Sequence, residues 1–154
     1  MTNLEIIEAA DRLTTIDLSS IEGAKVTFAI ISNLDILTKE AALIRKTIKY
    51  TPEAEEYNKV KAKIFTDNDG VYSDNGNYKF SSTEVAKKVK VELEELDAKS
   101  EKALEDIKKT YEAFDAVCAL ENEQITNKLL KIELSDLKDN INANQMLAIK
   151  FMIK

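Results

Sequence analysis

At 154 residues the chain is long enough for one compact domain, and at 44% apolar residues it is too hydrophobic to stay disordered. Three glycines, one proline and 32% charged residues describe a protein made of long helices. A net charge of −6 argues against a general nucleic-acid binder, and no apolar run reaches the roughly 18–20 residues of a membrane span.

The opening "MTNLEIIEAADRL" carries acids near its front and no cleavable apolar core. It therefore does not read as a signal peptide, and a cytoplasmic location is expected. Thr2 and Glu5 have capping-box spacing, which starts a short helix with Leu4, Ile7, Ala10 and Leu13 as its apolar residues. Ser19 and Glu22 repeat that spacing and open a second helix. In it Ile30, Leu34, Leu37, Ala41, Ile44 and Ile48 recur at alternating steps of four and three, a coiled-coil-like seam. Gly23 and Thr27 sit one turn earlier on that seam and would allow another element to approach closely.

This helix should stop near Tyr50. Thr51-Pro52-Glu53 supplies an N-cap, a proline at the first helical position and an acid in the first turn. A third helix follows to about Phe65, with Tyr57, Val60 or Lys61, and Ile64 inward; it could equally be the second helix continued after a kink.

Residues 66–82 read "TDNDGVYSDNGNYKFSS". Val71 and Tyr72 stand before Asn75-Gly76, and Tyr78 and Phe80 after it, the pattern of a β-hairpin. A calcium loop is not supported: placing Gly76 at the loop's glycine position puts Val71 first and Ser82 twelfth, and placing Gly70 there puts Phe65 first. The aspartates and asparagines are explained by turn geometry.

Ser81 or Ser82 then caps a helix that no glycine or proline interrupts from 83 to 121. Val89, Leu93, Leu96, Ser100, Leu104, Ile107, Tyr111, Phe114 and Cys118 form its stripe, and it would be roughly 55–60 Å long. Cys118, in "AFDAVCAL", reads as a small buried hydrophobe rather than a reactive thiol, and as the single cysteine it excludes an internal disulfide. A narrow stripe of that length needs a partner, and the seam of the second helix is the obvious one. In the tail, Ile125, Leu130, Ile132 and Leu134 alternate in part, as a strand or extended arm does. Asn142 or Asn144 caps a last amphipathic helix, "QMLAIKFMIK".

The expected fold is thus mainly α. It is a single domain holding a long antiparallel helical hairpin, with 19–65 and 83–121 as arms. A β-hairpin tip lies at 66–82, and a small lobe is made by 1–18 and 122–154. The stripe of the long helix exceeds what one arm covers, so self-association as a dimer is expected.

Histidine is absent, which removes Ser-His and Cys-His pairs and a histidine base. One cysteine without histidine makes no ordinary zinc site, and no phosphate-binding glycine motif occurs. Glu53, Glu55 and Glu56, and Glu92, Glu94, Glu95 and Asp97, form two acidic clusters that interleave with apolar stripes, as solvated helix faces do. The sequence therefore points to no enzyme, no metal and no cofactor.

Two surfaces remain as candidates for contact with another molecule. Folding the hairpin about residue 73 brings Lys59, Lys61 and Lys63 near Lys87, Lys88 and Lys90, with Lys79 on the ribbon. This lysine collar is either neutralised by nearby acids or a docking site for an acidic protein or a nucleic-acid backbone. The tip, with Tyr72, Asn75, Tyr78 and Phe80, is the second: a two-stranded ribbon cannot bury all those rings. They either pack on the helix ends or meet a protein partner.

The stretches "LSSIEGAKVTFAIISNLDIL", "DNGNY" ahead of a long helix, and "ALENEQITNKLLKIELSDLKDNINANQMLAIKFMI" resemble an uncharacterised family of small tailed-bacteriophage proteins. The resemblance spans most of the chain and implies a phage origin and a helical fold. It carries over no catalytic or binding residue. Three functions follow as expectations: a non-enzymatic protein that binds and modulates a host protein; a virion or assembly component such as a tail-assembly chaperone or scaffold; or a nucleic-acid binder using the lysine collar.

Overall fold

Side-chain caps at Thr2, Thr51, Ser82 and Asn142 mark where four of the helices begin. In the computed structural model, which describes residues 1–17, 20–72, 77–138 and 141–154, the main elements are α-helices, with one two-stranded antiparallel sheet. Among the described residues no helix is long and apolar enough to cross a membrane. The chain divides into two compact units, Met1–Ile48 with Phe114–Lys154, and Lys49–Ala113.

In the first unit, α1 (Asn3–Thr15) starts on the expected capping box. The Glu5 N–H donates to Thr2 Oγ1 at 3.2 Å, and the Thr2 N–H donates to the Glu5 carboxylate at 2.8 Å. Its buried face keeps Ala10 and Leu13 of the expected line but has Ile6 and Ala9 in place of Leu4 and Ile7, and Leu4 is exposed. "LEIIEAA" offers two overlapping faces, and periodicity alone does not choose between them.

Helix α2 (Ala24–Arg45) starts later than expected, at Gly23, whose φ of 107° side chains rarely adopt. A Cβ there would meet only Val26 Cγ2, at 3.9 Å, so the glycine serves the backbone turn rather than a close approach. Ser19, the expected cap, lies outside the described residues.

Val26, Ala29, Ile30, Leu37, Ala41 and Ile44 of α2 are buried together with the α1 face and with Ile125, Leu129, Ile132, Ala148, Ile149 and Met152. The seam of α2 is thus covered by α1 and the tail. Ile48 lies beyond the helix, after a turn in which the Ile48 N–H reaches the Arg45 carbonyl.

The tail is less strand-like than its alternation suggests. A short turn of helix, α6 (Glu123–Thr126), carries the buried Ile125. Ile132 then makes a single parallel bridge to Ile153. Asn142 caps α7 (Ala143–Ile149) in a capping box with Gln145, so Asn142 rather than Asn144 is the cap.

In the second unit, α3 (Pro52–Asp67) starts on the Thr51 N-cap with Pro52 at its first position. It is a separate helix, and Ala54 and Tyr57 are its buried residues. Strands β1 (Val71–Tyr72) and β2 (Tyr78–Lys79) pair Val71 with Lys79 and Tyr72 with Tyr78. Ser82 caps α4 (Thr83–Lys99).

The helix expected over 83–121 is in two pieces. Ser100 leaves helical geometry at φ −124° and ψ 29°, its N–H bonds back to the Asp97 carbonyl, and α5 runs from Glu101 to Cys118. Ser-Glu is a helix-start signal, serine being a better N-cap than interior residue and Glu101 an acid in a first turn. Pairings of α3 with α4 and α5 run in opposite senses: Asn68 to Glu92, Tyr57 to Asp97, Glu53 to Lys102 and Thr51 to Asp106. The two arms that meet behind the β-hairpin are therefore shorter than expected, and 24–45 belongs to neither.

Candidate functional site

The end of α3 sets the position of the tip. Asp69 sits at a φ of +52°. Its N–H donates to the Thr66 carbonyl at 3.1 Å, and the Gly70 N–H donates to the Phe65 carbonyl at 2.8 Å. This is a Schellman ending with an aspartate in the left-handed position. Gly70 must be glycine for a different reason: a Cβ would lie 2.9 Å from the Phe65 carbonyl oxygen and 2.9 Å from Phe80 Cε1. The ribbon thus leaves the helix against its own last turn.

Aromatic rings lock it there. Phe65 and Tyr78 stack face to face, with centroids 3.9 Å apart and planes 3° from parallel. Phe80 lies alongside Phe65 at 6.2 Å, and Tyr72 meets Tyr78 edge-on at 5.2 Å. Phe65, absent from the sequence-level site, is the anchor of the cluster; its signal is an aromatic residue in the last turn before "TDNDG". The anchoring is one-sided, since Val71 and Tyr72 remain 67% and 65% exposed. Of the four tip residues expected, Tyr72, Tyr78 and Phe80 are brought together, and Asn75 lies outside the described residues.

A polar clasp holds the base of the tip. Asn68 is buried, and its Nδ2 donates to the Ile64 carbonyl at 2.8 Å and to the Glu92 carboxylate at 3.2 Å. Lys88 donates to Asn68 Oδ1 at 3.1 Å and lies 3.5 Å from Glu92. Lys88 is therefore a structural tie between α3 and α4.

The other lysines of the expected collar are engaged on their own helices. Lys63 pairs with Asp67, Lys59 with Glu56 at 3.9 Å and Lys90 with Glu94 at 3.7 Å, while Lys61 stands over the Tyr57 ring at 5.7 Å. Lys79 and Lys87 are exposed, with no ion pair to another described residue. The acids interleaved with these lysines neutralise most of the collar.

Further down the same unit, the buried Tyr57 donates its hydroxyl proton to Asp97 at 2.7 Å. Burial first, and the Asp97 bond second, push its phenol up to about 12. Tyr50 is also pushed up to about 12, chiefly by its 3.2 Å bond to the Tyr111 hydroxyl.

In the first unit Cys118 is buried as expected, and burial with Asp115 nearby raises its thiol pKa, which lowers its reactivity. Among the described residues no three Cys, Asp or Glu side chains are arranged to hold a metal ion. What the tip offers chemically is an exposed aliphatic and aromatic surface with hydrogen-bonding phenols. Comparison with protein-family models, with curated proteins and with solved structures finds no match to this chain.

Proposed function

We propose that this chain is a non-enzymatic recognition protein that engages a protein partner with its β-hairpin tip. The observation that carries the reading is the asymmetry of the aromatic cluster: Phe65, Tyr78 and Phe80 fix the ribbon, while Val71 and Tyr72 face water. A rigidly held tyrosine loses little entropy on binding, and anchors of this kind dominate interface energetics. The resemblance to small tailed-phage proteins makes a host protein the partner of choice, bound and thereby modulated.

The virion or assembly alternative uses the same tip on another phage protein. The nucleic-acid alternative has less behind it, because Lys59, Lys63 and Lys88 already face acids.

Affinity capture from infected host cells, with the wild type beside a Val71→Ser/Tyr72→Ser variant, tests the proposal. Loss of a hot spot costs about 2 kcal/mol or more, so a stoichiometric partner should bind the variant roughly 30-fold more weakly. Identical retention by both proteins, or no stoichiometric partner, overturns it. A host protein among the captured species supports modulation, and a structural phage protein supports assembly.

A further inference from the structure

Helix α2 buries one face in the core of the first unit and presents the other to water with apolar residues on it. Phe28, Ile31 and Leu43 are 66%, 54% and 58% exposed. Ile31, Asp35, Lys39 and Leu43 follow one another at four-residue spacing, so they form a single ridge along the helix surface. Asp35 and Lys39, between the apolar ends, pair with each other at 2.7 Å and keep most of their side-chain surface in water.

The order along this ridge is apolar, acid, base, apolar. Read backwards it is apolar, base, acid, apolar, which is its own chemical complement. We infer that this face of α2 is an interface with a second copy of the chain, the two helices crossing in antiparallel sense about a twofold axis midway between Asp35 and Lys39. Asp35 then meets Lys39 of the second copy, Lys39 meets its Asp35, and Ile31 and Leu43 cover each other at both ends. Packing of i, i+4 ridges in this way is the commonest helix–helix geometry, and a twofold contact uses the same patch on both copies.

A parallel twofold pairing would set Asp35 against Asp35 and Lys39 against Lys39, so the charges select the antiparallel arrangement. A surface ion pair within one helix contributes little by itself. Sharing it with a second copy makes a four-charge network flanked by apolar residues that shield it from water. Phe28, one turn before Ile31, widens each apolar end. The self-association expected from the long-helix stripe is thus relocated to α2.

Sedimentation equilibrium on the purified full chain tests this without any other protein present, so the outcome is independent of the tip. The wild type should be a dimer. Ile31→Glu and Leu43→Glu, both at exposed positions, should be monomers with the wild-type far-ultraviolet circular dichroism. Asp35→Lys alone should weaken association by roughly tenfold or more, because it places like charges together twice. Asp35→Lys combined with Lys39→Asp should restore it. A wild type that is monomeric at every attainable concentration overturns the inference. So does a dimer untouched by Ile31→Glu and Leu43→Glu, or a double exchange that associates no better than Asp35→Lys.

Discussion

Asn33, fully buried on α2, exchanges two hydrogen bonds with the backbone of Leu130: its Nδ2 donates to the Leu130 carbonyl at 2.9 Å, and its Oδ1 accepts from the Leu130 N–H at 2.8 Å. A side-chain amide here does what a neighbouring strand would do, and it docks the tail against α2 at a position 97 residues away. Apolar burial holds Ile132 and Leu129 in the core, but it does not fix the register of the segment that carries them. The amide does.

Replacing Asn33 by Leu should therefore cost more than the loss of one polar group. Both backbone groups of Leu130 lose their partner, and a destabilisation on the order of 2 kcal/mol is expected in urea unfolding. Asn33→Asp adds a pH dependence. A carboxylate cannot donate to the Leu130 carbonyl, whereas the protonated acid can, and burial raises the folded pKa of the acid. The sign follows: stability is present at low pH and is lost as pH rises through that raised value. A variant whose stability rose with pH would contradict this account of the site.

Gly70→Ala should loosen the tip while leaving the first unit intact. The added methyl meets the Phe65 carbonyl and the Phe80 ring at distances that neither backbone nor stacked ring can absorb cheaply. A cost of about 1–3 kcal/mol is expected, with loss of the near-ultraviolet signal of the stacked rings at nearly unchanged helix content. Gly23→Ala is the contrasting case. It has room for a methyl but needs an unfavourable φ, so at least about 1 kcal/mol should be lost while the near-ultraviolet signal of the tip persists.

Asn68→Ala removes the donor to Ile64 and Glu92 and the acceptor for Lys88 in one step. Faster amide hydrogen exchange is expected at Asp69, Gly70 and along β1 and β2, with little change in α1 and α2. Uniformly faster exchange across both units would show that the clasp supports the whole molecule rather than the tip.

Two phenols should resist ionisation. With Tyr57 and Tyr50 held near 12, an alkaline absorbance titration of the wild type should contain a component well above the ordinary phenol value of 10.0, and that component should shrink in Tyr57→Phe and in Tyr50→Phe. A phenol whose folded pKa exceeds its ordinary value of 10.0 stabilises the fold fully below that value. That stability is lost as pH climbs between about 10 and about 12. Tyr57→Phe should lessen the alkaline loss and cost about 1 kcal/mol at neutral pH, where the bond to Asp97 is missed.

Local chemistry was readable from residue types alone. Thr2, Thr51, Ser82 and Asn142 each accept the backbone N–H three residues on, and each does so with neighbours inside its own turn. The β-hairpin is equally local, with Tyr72 opposite Tyr78. Choice of partner was not readable. A stripe such as Ile30–Leu37–Ala41–Ile44 states that a helix must be covered, yet α1, the 125–132 segment and a distant helix would all satisfy it equally. Ser100 falls on the regular apolar stripe with no glycine or proline near it, so periodicity hides the break that Ser-Glu, a helix-start signal, marks. At the candidate site the rings of the ribbon are legible in the sequence, but Phe65 and Asn68, which hold them in place, act through contacts that exist only once the chain has turned back on itself.

The Asp69–Gly70 ending of α3 has a consequence for how such a surface could change over time. Departure of the ribbon is dictated by backbone sterics and by rings on its inner side, so the outward positions at Val71 and Lys79 can vary with little penalty to the rest of the molecule, and Tyr72 can vary where its replacement keeps the edge contact with Tyr78. A lineage could re-aim its specificity by exchanging two or three side chains, much as an interchangeable bit is swapped in a fixed chuck.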